Sequence, residues 1–455
     1  MTDEELFGDP IPHPADTATA ADEAAGATSG SPFGPSPFAE GLNPDQLDAV
    51  VHPSGPLLVV AGAGSGKTRV LTHRIAHLIH EGVHPSKILA ITFTNKAAAE
   101  MRERVGALIG PVVKSMWVST FHSACVRILR ANADALGYPR QFSIYDAADT
   151  NRLTGYVIRD LGLDPKRFTP RGVHAIISLW KNELVDPDEA QRRAQNNFDR
   201  KHADVYAEYQ SRLLKAGAMD FDDLLTKTVE LFHDHGEVLE HYRQRFQHIL
   251  VDEYQDTNRA QNELVLMLAD GHRNVCVVGD TDQSVYKFRG ADFRNILEFE
   301  EAFPDVTTVI LDQNYRSTQT ILDAANAVID NNLERKPKSL WTDSGQGDRI
   351  VRYHAEEEGD EATWVASTAR QLHADDATNF REMAVLYRTN AQSRVIEEAF
   401  MRLGVPYKVV GGTRFYDRRE VKDAMAYLRA VVNPSDEVSV KRVLNVPKRG
   451  VGDTS

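Results

Sequence analysis

From residue 42 to about 130, short apolar runs alternate with segments of helical period. Pro56–Ala61 is one such run, and it ends in the glycine-rich stretch Gly62–Gly66. Val70, Leu71, Ile75, Leu78 and Ile79 then recur at the spacing of one helix face. Lys87–Thr92 repeats the apolar run, and Met101, Val105 and Leu108 share a face of the helix that follows. Strands alternating with helices in this way predict a parallel sheet covered on both sides.

The pattern then changes. Residues 145–215 are charged, mostly of helical period and short of strand signals, and predict an inserted helical subdomain. Strand signals resume at His248–Val251, Val275–Val278 and Val306–Leu311, and a second α/β unit is expected beyond them, with strands near 350 and at Met383–Tyr387. Residues 1–40 carry few large apolar side chains and many small ones, and predict a disordered acidic tail. At the other end, Asn433-Pro434 stops one helix, and Asp453-Thr454-Ser455 offers helix-capping residues with no helix to cap, so the chain is expected to end inside an element. The expected organisation is thus a tail (1–40), a first α/β domain (41–143 and 216–310), a helical insertion (144–215), part of a second α/β domain (311–417) and the start of a second helical insertion (418–455), cut short.

Composition changes this picture in two places. A length of 455 residues exceeds one ordinary core. The formal charge of −14 argues against a polyanion partner held by a global field. Eight acids and no Lys or Arg lie in residues 1–40, and setting those eight aside leaves −6 for the remainder. DNA binding would therefore need a local groove. No apolar run is long enough to span a bilayer, residues 1–40 lack the basic start and apolar stretch of a secretory leader, and the two cysteines, Cys125 and Cys276, lie in apolar segments. A cytoplasmic, reducing setting is the expectation, with no membrane partner.

The candidate chemistry is phosphate chemistry. Ala61-Gly62-Ala63-Gly64-Ser65-Gly66-Lys67-Thr68 fits the P-loop pattern, with Ala at the usual first Gly and with a strand before and a helix after it. Glycines let backbone N–H groups turn inward around phosphate oxygens at a helix N-terminus. In that frame Lys67 reaches the β- and γ-phosphates of ATP, and the Thr68 hydroxyl ligates Mg²⁺. His248–Val251 is an apolar strand that runs into Asp252-Glu253. Asp252 is the expected second Mg²⁺ ligand, and Glu253 the base that orients and deprotonates water. Arg316, beside Tyr315 after Val306–Leu311, is a candidate cation for the developing charge. Gln283, after Val275–Val278, is a candidate γ-phosphate sensor.

Taken in order, these segments become recognisable: Leu42-Asn43-Pro44-Asp45-Gln46, the P-loop, Thr92-Phe93-Thr94-Asn95-Lys96-Ala97-Ala98-Ala99-Glu100-Met101, Ser119-Thr120-Phe121-His122-Ser123 and Asp220-Phe221-Asp222-Asp223-Leu224-Leu225. Val251-Asp252-Glu253-Tyr254-Gln255-Asp256, Gly279-Asp280-Thr281-Asp282-Gln283-Ser284-Val285-Tyr286 and Gln313-Asn314-Tyr315-Arg316-Ser317 complete the set. The chain resembles the superfamily 1 helicases of the PcrA/UvrD group. The resemblance implies RecA-like domains that grip ATP, with single-stranded DNA crossing their tops in 3′–5′ stepping driven by ATP. It implies adenine reading by Gln46, base stacking by Tyr315, an arginine finger at Arg316, and nucleotide contacts along 62–69, Arg69 included. Gln283 and Arg289 would couple the γ-phosphate to the DNA track.

For DNA, non-specific single-strand binding needs aromatic faces and phosphate donors. Tyr286-Lys287-Phe288-Arg289 alternates the two types. Phe93, Thr94, Asn95, His122, Arg388, Asn390 and Phe415 are the other positions that match family DNA contacts. Phe288 stands where the family commonly has Trp, and a smaller ring should stack less well. The resemblance also implies duplex DNA and repair or replication proteins as partners. The family's later motifs are missing, so the chain is expected to be an N-terminal part that hydrolyses ATP poorly. Two alternatives stay open: a short protein that binds nucleotide and single strands without translocating, and the motor of a helicase–nuclease.

Overall fold

The computed structural model describes residues 36–285, 292, 294–332, 335–375, 378–410, 419–447 and 449–451. Residues 1–35 of the expected tail lie outside these; Pro37–Ala39 form a single 3-10 turn capped by Ser36.

Six strands make one wholly parallel sheet: β1 (Leu57–Ala61), β2 (Ile88–Thr92), β3 (Trp117–Thr120), β6 (His248–Val251), β7 (Val275–Gly279) and β8 (Thr307–Leu311), in the order β3-β2-β6-β7-β1-β8. Two further strands, β4 (Ser143–Tyr145) and β5 (Ala218–Asp220), pair with each other. The apolar runs of the sequence are these strands, and the fold is the expected α/β class, a parallel sheet flanked by helices. Side chains alternate between two cores, as the two-residue period of a strand requires. Leu58 and Val60 of β1, Leu89 and Ile91 of β2 and Val275 and Val277 of β7 enter one core; Leu57, Val59, Ile88, Ala90, Cys276 and Val278 enter the other. A strand buried on both faces can have no polar face, which explains the uninterrupted apolar runs.

Between β4 and β5 the chain forms the helices Ala147–Asp160, Pro170–Asn182, Pro187–Arg193 and Asn197–Lys215, around a core of their own that includes Tyr145, Leu153, Val157, Ile177, Tyr206 and Tyr209. A buried cation joins this unit to the sheet-bearing part. Lys181 donates to Asp220 Oδ2 and Asp223 Oδ1, each at 2.8 Å, and the Tyr209 hydroxyl also donates to Asp220 at 2.8 Å. Burial disfavours the charge on Lys181, but the two carboxylates more than offset it and hold the ammonium well above its usual range. The helix Glu437–Leu444 returns to the same unit. Val438 joins its core, the Tyr145 hydroxyl donates to Asp436 at 2.5 Å, and Arg429 pairs with Asp149 at 2.9 Å.

Residues 348–424 form a separate compact unit. Its helices Glu358–Asp375 and Ser393–Leu403 pack around Ala362, Ala366, Ala399 and Phe400. The strands expected near 350 and at Met383–Tyr387 are not formed: both segments run as irregular chain, and Leu386 is 93% exposed. An apolar extended segment becomes a strand only when a neighbour supplies its hydrogen bonds, and none of the described residues does so here. No described helix is long and apolar enough to cross a membrane.

Lys181→Met should lower the unfolding free energy by about 3–5 kcal/mol, because it leaves Asp220 and Asp223 buried without their cation. Urea unfolding followed by circular dichroism checks this; a change under about 1 kcal/mol would show that the ion cluster is not structural.

Candidate nucleotide site and DNA-facing edge

In a parallel sheet every strand ends at the same edge, so the loops after β1, β6, β7 and β8 converge. After β1 the chain turns through Gly64 (φ 73°) and Gly66 (φ 90°), left-handed conformations that glycine adopts without strain, and enters the helix Lys67–His80. The loop is built from inside: Ser65 is buried and its hydroxyl donates to the Gly62 carbonyl at 2.8 Å. Gln46, buried on the capped helix Pro44–Val51, donates Nε2 to the Ser65 carbonyl at 2.9 Å, and a β-carbon at Gly66 would lie 2.7 Å from that nitrogen. Thr68 sits in the first helical turn, half-buried. Arg69 is turned to the Gly41 carbonyl, 3.0 Å away.

Across the sheet edge, Lys67 Nζ meets Glu253 Oε2 at 2.8 Å. Glu253 follows β6 and has a left-handed backbone (φ 53°), a sparsely allowed conformation for a residue with a side chain. Asp252 is buried, and burial, then the charge of Glu253, push its carboxyl up to about 7. A bound cation would offset the desolvation that raises this carboxyl: Mg²⁺ would be held by Asp252 and Thr68 and would supply charge neutralisation for phosphate oxygens. Gln283, after β7, donates to Asp280, whose backbone N–H donates to Gln255 Oε1 at 2.8 Å; Gln255 Nε2 donates in turn to Glu253 at 2.9 Å. From the loop after β8, the Tyr315 backbone N–H donates to the Gly64 carbonyl at 2.9 Å and Asn314 Nδ2 to the Ala63 carbonyl at 2.5 Å. A β-carbon at Gly64 would stand 2.8 Å from Arg316 Cβ, and one at Gly62 would collide with Leu340. The Tyr315 ring is 52% exposed, with its hydroxyl bonded to Asn43 and Gln313.

The structure therefore sets Gln46, Glu253, Tyr315 and Arg316 each against the loop 62–67, with Gln283 attached through Asp280 and Gln255. The sequence reading had assigned nothing to Asn314, Gln255, Lys338 or Leu340. Asn314 and Gln255 lay inside quoted motifs. Leu340 and Lys338 carried no signal, since Arg335-Lys336-Pro337-Lys338 reads as a solvated basic run.

Phe93, Thr94 and Asn95 lie where β2 ends; Thr94 caps the helix Asn95–Ile109 through the Ala97 N–H at 3.1 Å. His122 opens the helix after β3 and packs edge-on against Phe221, half-exposed, at 5.8 Å between ring centres. Burial pushes the His122 imidazole down to about 4. Arg388 and Asn390 are exposed in the 348–424 unit. Tyr286, Phe288, Arg289 and Phe415 lie outside the described residues.

A glycine loop after one strand of a parallel sheet, bonded to the acidic turn of another, defines a P-loop NTPase. Residues 42–304 match the UvrD/REP helicase N-terminal domain, and 309–455 match the UvrD-like helicase C-terminal domain. The chain belongs to the UvrD/REP helicase family. It is 55% identical over 416 residues to the ATP-dependent DNA helicase PcrA of Bacillus subtilis, covering 91% of this chain and 56% of that one. It is 54% identical over 442 residues to the ATP-dependent DNA helicase UvrD1 of Mycobacterium tuberculosis (94% and 57%), and 52% identical over 415 residues to PcrA of Staphylococcus aureus (91% and 57%). The chain thus spans a little over half the length of these curated relatives. The second family match corrects the expectation of an N-terminal fragment lacking the C-terminal part: sequence of the C-terminal domain is present from residue 309 onward.

A neutral His122 stabilises the fold fully above its unfolded pKa near 6.5, and that contribution is lost as pH falls toward 4. NMR titration of the histidine Cε1–H resonances, with His122→Gln for assignment, should give His122 a midpoint near 4; a midpoint near 6.5 would show that the half-buried ring is not desolvated in the folded chain.

Proposed function

We propose that the chain is the ATP-driven motor of a DNA helicase that translocates 3′–5′ on single-stranded DNA, with Mg²⁺ at the triphosphate, in DNA repair and replication. One observation carries the reading: Lys67 of the glycine loop and Glu253 at the end of β6 share a 2.8 Å ion pair. Phosphate oxygens would compete for the same ammonium. Nucleotide binding then withdraws Lys67 from Glu253 and leaves that carboxylate as the base for the attacking water. Arg316, beside Gly64, serves as the cation for charge that develops on the transferred phosphoryl group. Gln46 reads the adenine and Tyr315 stacks on it.

Single-stranded DNA follows the edge formed by the ends of β2 and β3, over Phe93, Thr94, Asn95 and His122. Tyr286, Phe288, Arg289, Arg388, Asn390 and Phe415 are proposed as further DNA contacts on their match to the family motifs alone. Duplex DNA and repair or replication proteins are the proposed partners. The acidic average of the chain makes this a local interaction of aromatic faces and backbone donors.

Steady-state ATP turnover, with and without single-stranded DNA, tests the reading. Lys67→Ala should abolish turnover and leave single-strand affinity within about twofold, because its partner is phosphate; turnover at the wild-type rate would discard the site. Arg316→Ala should slow hydrolysis by about a thousandfold with little change in nucleotide affinity. A large affinity loss at unchanged turnover would remove its assignment to the transition state.

A further inference from the structure

Lys338 lies beyond the arginine loop with its side chain only 2% exposed, and its ammonium touches two carboxylates in the turn after β7: Asp280 Oδ1 at 2.5 Å and Asp282. Asp280 is equally buried, and both its carboxylate oxygens are engaged. Its Oδ1 also accepts the Asp282 N–H at 3.0 Å, its Oδ2 accepts the Gln283 carboxamide, and its own N–H donates to Gln255. Gln255 bonds Glu253, which bonds Lys67. One continuous run of hydrogen bonds therefore joins the P-loop lysine to Lys338, with Gln283 branching from it. Close packing fixes the middle of the run: a β-carbon at Gly279 would lie 3.0 Å from Gln255 Oε1. Arg335 adds a second cation, 2.9 Å from Asp282.

Two carboxylates beside a triphosphate site, Asp280 buried and Asp282 partly so, would repel the nucleotide, and a buried carboxylate without a cation is costly. We propose that Lys338 is a positioning residue of the nucleotide site, neutralising Asp280 and Asp282 and fixing Asp280 so that Gln283 stays oriented to read the γ-phosphate. The inference rests on the assignment of Gln283 under the proposed function. A purely structural ion cluster would stabilise the fold and leave nucleotide discrimination untouched.

The test uses the full 455-residue chain and fluorescence titration with mant-ATPγS and mant-ADP in the presence of Mg²⁺. In Lys338→Met the ratio of mant-ATPγS to mant-ADP affinity should fall about tenfold relative to wild type, the equivalent of one hydrogen bond to a charged group, with mant-ADP affinity kept within about twofold. Lys338→Arg, which keeps the charge, should restore the ratio to within about threefold of wild type. An unchanged ratio in a variant that still binds mant-ADP overturns the inference. If Lys338→Met loses both nucleotides, the milder Lys338→Gln is read the same way; loss of both nucleotides there too marks a structural role and also overturns it. Lys67→Ala separates the two readings. If wild type binds neither nucleotide, or binds them independently of Lys67, the nucleotide site itself falls and this inference with it. Lys67-dependent binding with an unchanged ratio removes Lys338 alone.

Discussion

The common direction of the six strands is the constraint on which the rest depends. Because β1, β6, β7 and β8 all end at one edge, four loops far apart in sequence meet there: the glycine turn, the acidic pair, the Asp280–Gln283 turn and the Asn314–Arg316 loop. An antiparallel neighbour would send one of these groups to the far side of the molecule. The strict alternation of Leu57, Leu58, Val59 and Val60 between two cores holds the strands in register, so the edge is as rigid as the interior beneath it.

That rigidity supports unfavourable features at the site. Glu253 keeps a left-handed backbone, and Asp252 keeps a carboxyl displaced toward its neutral form. Each costs folding free energy, and features of this kind concentrate at functional sites. The Lys67–Glu253 pair balances the acidic end of β6 and occupies the ammonium that a phosphate would otherwise claim. The polar run from Glu253 through Gln255 to Asp280 gives this edge a fixed internal order rather than a set of independent side chains.

The helical unit is attached with similar specificity. Lys181 reaches from one of its helices to Asp220 and Asp223, at the start of the helix Phe221–Asp234, and Phe221 from the same motif lies beside His122. The Asp-Phe-Asp-Asp motif therefore serves two ends: its acids anchor the helical unit, and its aromatic residue lines the edge where β3 ends. Asp436, Arg429 and Asn433 bring the later chain back to the base of the same unit, Asn433 through the Ala216 carbonyl at 2.8 Å.

Much of this was legible in the residue order. Continuous apolar runs marked β1, β2, β6 and β7 to within a residue or so, because burial on both faces leaves no polar face to interrupt them; the edge strand β8 was marked as closely although most of it is exposed. The glycine turn with Lys67 and the acids at 252 and 253 were readable because phosphate chemistry demands those types next to a strand end. Tertiary structure alone decided which strands are neighbours, and so that Lys67 faces Glu253 across β7. It also decided that Ile350–Tyr353 and Met383–Tyr387 stay irregular, since a strand exists only with a partner to accept its hydrogen bonds. Lys338 is the sharpest case. Within a basic run it reads as solvent-exposed, and it becomes a buried counter-ion only because the fold carries it to two carboxylates more than fifty residues away in sequence. Local periodicity encodes which face of an element is buried; long-range electrostatic pairing appears only once the chain has closed on itself.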